Sequence, residues 1–282
     1  MTNKISTNFL RTVLAVFAFA ILTSGLAQAQ ETTSFDVYGL TVNNQLIRFK
    51  NNNPNTIESA VSITGLQPGE TLLGIDFRPA NGMLYGLGST SRIYVINPAG
   101  VATAVNGPFT PALQGTEFGF DFNPVPDRIR IISNTGQNLR VHPDTGLVAF
   151  VDGNLNINGA TRTSLVGAAY TNPDVDPNTG TTLYDIETDH NFLVIQDPPN
   201  SGTLRAVGPL GVDAGQILGF DIGTNFGRHQ PFGLAAIQVS NGTSRLFAIL
   251  LDTGQSFDIG QIGNGTLVRG LAIDLVSNRN YR

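Results

Sequence analysis

A glycine-centred phrase returns five times along this chain: LGIDFRP at 73–79, FGFDFNP at 118–124, VGAAYTNP at 166–173, LGFDIG at 218–223 and RGLAID at 269–274. Its glycines, Gly74, Gly119, Gly167, Gly219 and Gly270, are separated by 45, 48, 52 and 51 residues. A period of this size marks a supersecondary unit that cannot bury its own apolar face and must stack on copies of itself. The phrase therefore constrains architecture strongly and chemistry weakly.

Between successive copies the same order of strands and turns recurs. In the second unit the phrase is followed by LYGL at 84–87, IYVI at 93–96, the turn NPAG at 97–100 and a weaker segment at 101–105. The third unit repeats it with RIRII at 128–132, LRV at 139–141, the turn PDTG at 143–146 and a segment at 147–151. Each segment is short, β-branched or aromatic, and bounded by glycine, proline or asparagine, and no stretch after the first thirty residues keeps a helical apolar period. Four strands in about fifty residues is the content of a β-propeller blade, so the chain is expected to be all-β, a five-bladed propeller. Only three strands precede the first full phrase, near 37–40, 45–49 and 60–63, and a lone phrase ends the chain at 268–275. Pairing of that orphan with the strand at 37–40 would complete the first blade and leave no free sheet edge at the seam. A β-sandwich or β-solenoid is the alternative architecture.

The first 29 residues read as an export signal: Lys4 and Arg11, an apolar run at 12–22, and the small-x-small sequence AQA at 27–29. The apolar run is shorter than the roughly 20 residues that span a bilayer. The expectation is a single propeller domain over 30–282, periplasmic or extracellular, with no stable membrane insertion and monomeric by default. Setting the signal aside leaves 14 basic residues against 21 acidic ones, which disfavours nucleic acid and anionic lipid as partners. With no cysteine in the chain, disulfides, thiol catalysis and lipid attachment at cysteine are excluded.

Candidate chemistry is scattered. An aspartate follows the repeated glycine at Asp76, Asp121, Asp221 and, in the fifth copy, Asp274, with Ala169 in the third. These carboxylates either cap backbone amides at the strand ends or form a ring around a channel able to take a cation. The third unit is the richest in charge and amides, and its candidate ligand-binding residues are Asp121, Asp127, Arg128, Arg130, Asn134, Gln137, Asn138 and Arg140. Alternation places Arg128 and Arg130 on one face with Arg140 across the hairpin, a cluster suited to a carboxylate or sulfate. The bland alternative is an arginine ladder paired with Asp121, Asp127 and Asp144 that fastens neighbouring blades. The segment DVDPNTG at 174–180 places Asp174, Asp176 and Asn178 at alternate positions with Asp185 beyond, and resembles a calcium loop. Its glycine falls one place later than the helix-loop-helix calcium pattern requires, and the same residues are ordinary turn formers. No other cofactor is expected. His142, His190 and His229 form no metal-spaced pair, and no nucleophile elbow or phosphate-cradling loop is present. Catalytic residues are not identifiable.

Several phrases in order, VYGL at 37–40, FGFDFNP at 118–124, DRIR at 127–130, NTGQNLR at 134–140, AAYTN at 168–172, TLYDI at 182–186, LGVD at 210–213 and VRGLA at 268–272, resemble a bacterial secreted family known as domain of unknown function 4394. The resemblance covers 35 to about 275. It implies exported proteins with a propeller-like repeat and no catalytic residues to carry over. The expected function is a binding or interaction module for a small molecule, a glycan or an extracellular protein. An extracellular hydrolase or lyase at the channel mouth and a structural envelope or matrix protein are the alternatives.

Overall fold

The structure, a computed structural model, describes residues 34–274 apart from 175, 177 and 226–229. The export signal expected over 1–29 and His229 lie outside the described residues. Five four-stranded antiparallel sheets make up the ring. In chain order from inside to outside, the second blade is Leu72–Phe77, Leu84–Gly88, Arg92–Ile96 and Ala102–Ala104. The third is Phe118–Asn123, Arg128–Ser133, Asn138–Val141 and Val148–Val151. The fourth is Leu165–Tyr170, Leu183–Glu187, Phe192–Gln196 and Leu204–Pro209, and the fifth Leu218–Asn225, Gln230–Gln238, Ser244–Ile249 and Ser256–Gln261.

The first blade is built from both ends of the described chain. Val268–Ile273 is its innermost strand and pairs with Asp36–Thr41, Val37 opposite Ile273 and Gly39 opposite Leu271, followed by Gln45–Lys50 and Asn53–Ser62. The expected closure is therefore present, and the sandwich and solenoid alternatives are overturned. Each innermost strand packs against the innermost strands of both neighbours, which closes the circle. Among the described residues no helix is long and apolar enough to cross a membrane.

All five innermost strands are the recurring phrase, and the glycine explains itself. A Cβ built on Gly119 lies 2.7 Å from the Ala168 backbone nitrogen of the next blade, and one on Gly219 lies 2.6 Å from the backbone of Gly270 and Leu271. At the axis the strands approach too closely for a side chain. The blades are joined by five apolar clusters, one in each wedge between neighbours. Strands buried on both faces, such as Phe118–Asn123, read as near-continuous apolar runs for that reason. The wedge between the third and fourth blades is the exception, because only Ile132 represents the strands of the third blade in its apolar cluster. A short hairpin, Asn156–Ile157 with Ala160–Thr161, occupies the connection between these two blades and was not anticipated from sequence.

Candidate functional site: the carboxylate end of the ring axis

The phrase carries its aspartate two residues past the glycine in three blades, so three innermost strands deliver a carboxyl group to the same end of the axis. Ligand oxygens of Asp76, Asp121 and Asp221 lie within 4.8 Å of one another, and all three residues are buried. The other two blades place Ala169 and Ala272 at this position. Asp274 stands two residues further along, past the end of its strand, so it is not the fifth member of the set.

Each carboxylate also joins blades. Asp76 Oδ1 accepts the Phe77 amide at 2.7 Å and its Oδ2 the Phe122 amide of the next blade at 2.8 Å. Asp121 Oδ2 accepts the Tyr170 amide at 2.8 Å. Asp221 accepts the Ile222 and Ile273 amides, both at 2.6 Å. The capping and the axial-ring expectations thus describe the same residues. The pocket above them is lined by Asp76, Phe77, Arg78, Asp121, Phe122, Tyr170, Pro173, Asp221 and Ile273 among others, so every blade contributes. Of the described histidines neither lines it: His142 Nδ1 accepts the Asp144 amide, and His190 contacts Glu187 at the surface.

Burial pushes the proton affinity of all three carboxyls up. Asp76 rises well above the usual carboxylate range through desolvation and the nearby Asp221 charge, and Asp121 through desolvation and the charges of Asp76 and Asp221. Asp221 is raised by desolvation to about 6, against the pull of its two amide hydrogen bonds. Carboxyls held above their ordinary range in a pocket mark a candidate functional site, and when ionised they accept hydrogen bonds from donors.

These shifts set a pH dependence. A carboxyl whose folded pKa exceeds its unfolded value near 3.9 contributes stability below that value and loses it as pH rises through the folded pKa. For Asp221 the window runs from about 4 to about 6, a span that converts to about 3 kcal/mol. Ion-paired carboxylates such as Asp144, whose affinity is lowered by Arg78, act in the opposite sense. The difference between the wild type and Asp221→Asn is therefore the informative quantity. Urea unfolding from about pH 4 to pH 7 should show the wild-type advantage shrinking as pH rises, and a constant difference would refute the assignment.

The candidate residues of the third unit are placed as follows. Arg130 stands directly opposite Arg140 across the hairpin, as alternation requires. Both bind Asp152: Arg130 Nη1 at 2.6 Å, Arg140 Nε at 2.7 Å and Arg140 Nη2 at 2.8 Å. Arg140 also lies over the Phe150 ring at 4.1 Å. Arg128 turns onto the carbonyls of Pro126 and Asp127. Asn134 accepts the Thr116 amide, Gln137 brackets the same loop through Gln114 and Ala112, and Asn138 donates to Gly153 and Pro199. The expected ladder with Asp121, Asp127 and Asp144 is corrected. Asp127 and Asp144 are held by Arg78 of the second blade, at 2.9 Å and 2.5 Å, while Asp121 faces the axis.

In the loop at 174–180 the carboxylates serve the loop itself. Asp174 Oδ1 accepts the Asp176 amide and Asp176 Oδ1 the Asn178 amide, both at 2.9 Å, an Asx-turn arrangement. Asp185 is not near them in role, since it is fully buried within the fourth blade. Sequence reading missed Arg78, Asp152, Gln196 and Asn200. Arg78 carried a usable signal, because it stands in the first copy of the phrase where the second has Asn123.

Ring, closure and axial carboxylates define a five-bladed β-propeller with a polar mouth at one end of its axis. The family model described as Domain of unknown function (DUF4394) matches residues 45–272, and the chain belongs to that family. No curated protein matches it. Among solved structures it is similar to a chain from a nidogen/laminin complex, with 15% identity, a TM-score of 0.47, and coverage of 86% of this chain and 99% of that one. A protein from Lactobacillus plantarum shares 16% identity at a TM-score of 0.42, over 84% of this chain and 71% of that one. A protein of unknown function from Bacteroides thetaiotaomicron shares 12% identity at a TM-score of 0.47, over 84% and 64%.

Proposed function

We propose that the chain is an exported binding module, periplasmic or extracellular, that takes its ligand at the carboxylate end of the ring axis. The observation that supports this is the pocket to which all five blades contribute, with three buried carboxyl groups at its base. The third-unit face is the weaker candidate, because the polar groups of Arg130, Asn138 and Arg140 are engaged by protein partners. A cluster of three carboxyl groups suits a ligand presenting hydroxyl or ammonium donors, on a small molecule, a glycan or an extracellular protein.

A thermal-shift panel of sugars, amines, anions and divalent cations, the last with and without chelator, tests the reading. A donor-rich ligand at a hundredfold excess over its Kd should raise Tm by about 5–10 °C. Asp121→Asn and Asp221→Asn should each diminish the shift. The reading fails if nothing shifts, which would favour a structural envelope or matrix role, or if the shift survives both variants. Turnover of a panel compound would favour the hydrolase or lyase alternative.

A further inference from the structure

In the wedge between the third and fourth blades a buried polar network stands beside the apolar cluster, to which the strands of the third blade contribute only Ile132. Arg130 is 1% exposed and lies at its centre. Its Nε donates to the Tyr170 hydroxyl at 3.1 Å, Nη1 to Asn138 Oδ1 at 2.7 Å and Asp152 Oδ2 at 2.6 Å, and Nη2 to Asn200 Oδ1 at 3.0 Å. A guanidinium has five N–H donors, so one proton on Nη2 has no acceptor among the described residues.

Facing it from the fourth blade is Asp185, fully buried, with neither carboxylate oxygen accepting a hydrogen bond among the described residues. Gln196 lies on the same face, two residues along from Val194, the cross-strand partner of Asp185. Its Nε2 donates to the Pro199 carbonyl at 2.5 Å, while its Oε1 is also unpartnered. Burial does not by itself leave a carboxylate bare in this protein. Glu70, also buried, accepts from the Gln67 and Thr90 amides, the Thr90 hydroxyl and the Tyr94 hydroxyl. Arg130 is near enough to act on Asp185 by charge, against the dominant effect of desolvation, yet the two form no ion pair.

We infer that this wedge is a hydration site, in which one buried water molecule bridges Asp185 and Gln196 of the fourth blade to Arg130 of the third. The unmet groups are three acceptor oxygens and one donor. A cation would satisfy the oxygens but would face the guanidinium, and an anion would satisfy the guanidinium but would face Asp185. Water alone offers both donors and acceptors, and internal waters make about three such bonds. It suits Asp185 in either protonation state. Ala168, the small residue paired with Asp185 across the sheet, keeps bulk away from the carboxyl group.

A crystal structure that resolves ordered solvent, from crystals grown with and without chelator, tests the inference. The expected result is one density peak within about 2.6–3.2 Å of Asp185, Gln196 Oε1 and Arg130 Nη2, unchanged by chelator. Asp185→Asn should retain it, and Asp185→Leu, if it folds, should lose it. The inference is overturned by an empty wedge, by a direct Asp185–Arg130 pair, by loss of the peak in Asp185→Asn, or by a chelator-sensitive peak at the roughly 2.3–2.6 Å of a calcium ion.

Discussion

Gly219→Ala should cost the protein about 3 kcal/mol or more, although it adds a single methyl group. The new Cβ would lie 2.6 Å from both the Gly270 carbonyl carbon and the Leu271 nitrogen, backbone atoms of the neighbouring innermost strand. A side chain could rotate away, but here relief requires two blades to separate, which opens the apolar wedges on either side. For a ring of this size the loss corresponds to a fall of about 6–12 °C in Tm. Gly119→Ala should behave alike, with its Cβ 2.7 Å from the Ala168 nitrogen. Gly270→Ala should be milder, since its nearest contacts, to Ile75 and Leu40, are 3.2 Å away. Gly107 has nothing within 4 Å of a built Cβ, so Gly107→Ala should be neutral or slightly stabilising by restricting the unfolded chain. Thermal unfolding of the four variants checks the order. Equal melting temperatures for Gly219→Ala and Gly107→Ala would show that the phrase does not owe its glycine to crowding at the axis.

The ring was legible because its period is long and its glycine is forced. A residue that must be glycine wherever strands converge repeats without exception, and the repeat gives blade number, strand order and closure together. The axial aspartate is less strictly required. Ala169 and Ala272 stand in its place in two blades, so the pattern reads as three copies in five. The sequence could suggest a carboxylate ring, but only the register shows that Asp274 falls outside it.

The partners of the arginines that bind around the third unit were illegible for a different reason. Arg78 reaches residues 49 and 66 positions away, and Arg130 reaches Asn200 across 70. No local pattern encodes such pairs, because the choice of acid depends on how adjacent blades are rotated about the axis. Asp152 lies only 12 residues from Arg140, yet it follows the outermost strand, where an acidic residue reads as solvated surface. The long connection to the fourth blade turns it inward, leaving its side chain 6% exposed.

Arg130→Met should then be among the most damaging substitutions outside the axis, at about 3–5 kcal/mol. Methionine is long enough to fill much of the space, so lost volume is the smaller effect. Asn138, Asn200 and Tyr170 would each lose the donor they now receive, and Asp185 would lose the one positive charge that offsets its burial. Asp152 would keep its two bonds from Arg140. The reverse change, Arg140→Met, leaves Asp152 bound by Arg130 and removes a group that is already 19% exposed, so a loss of about 1.5 kcal/mol is expected. Arg130→Lys keeps the charge but not the planar fork that reaches four acceptors in different directions, and should recover only a minor part of the loss. Urea unfolding of the three variants ranks them. If Arg140→Met proved as costly as Arg130→Met, the strength of this wedge would lie in the outer ion pair and its stacked Phe150, and the buried network around Arg130 would be incidental to it.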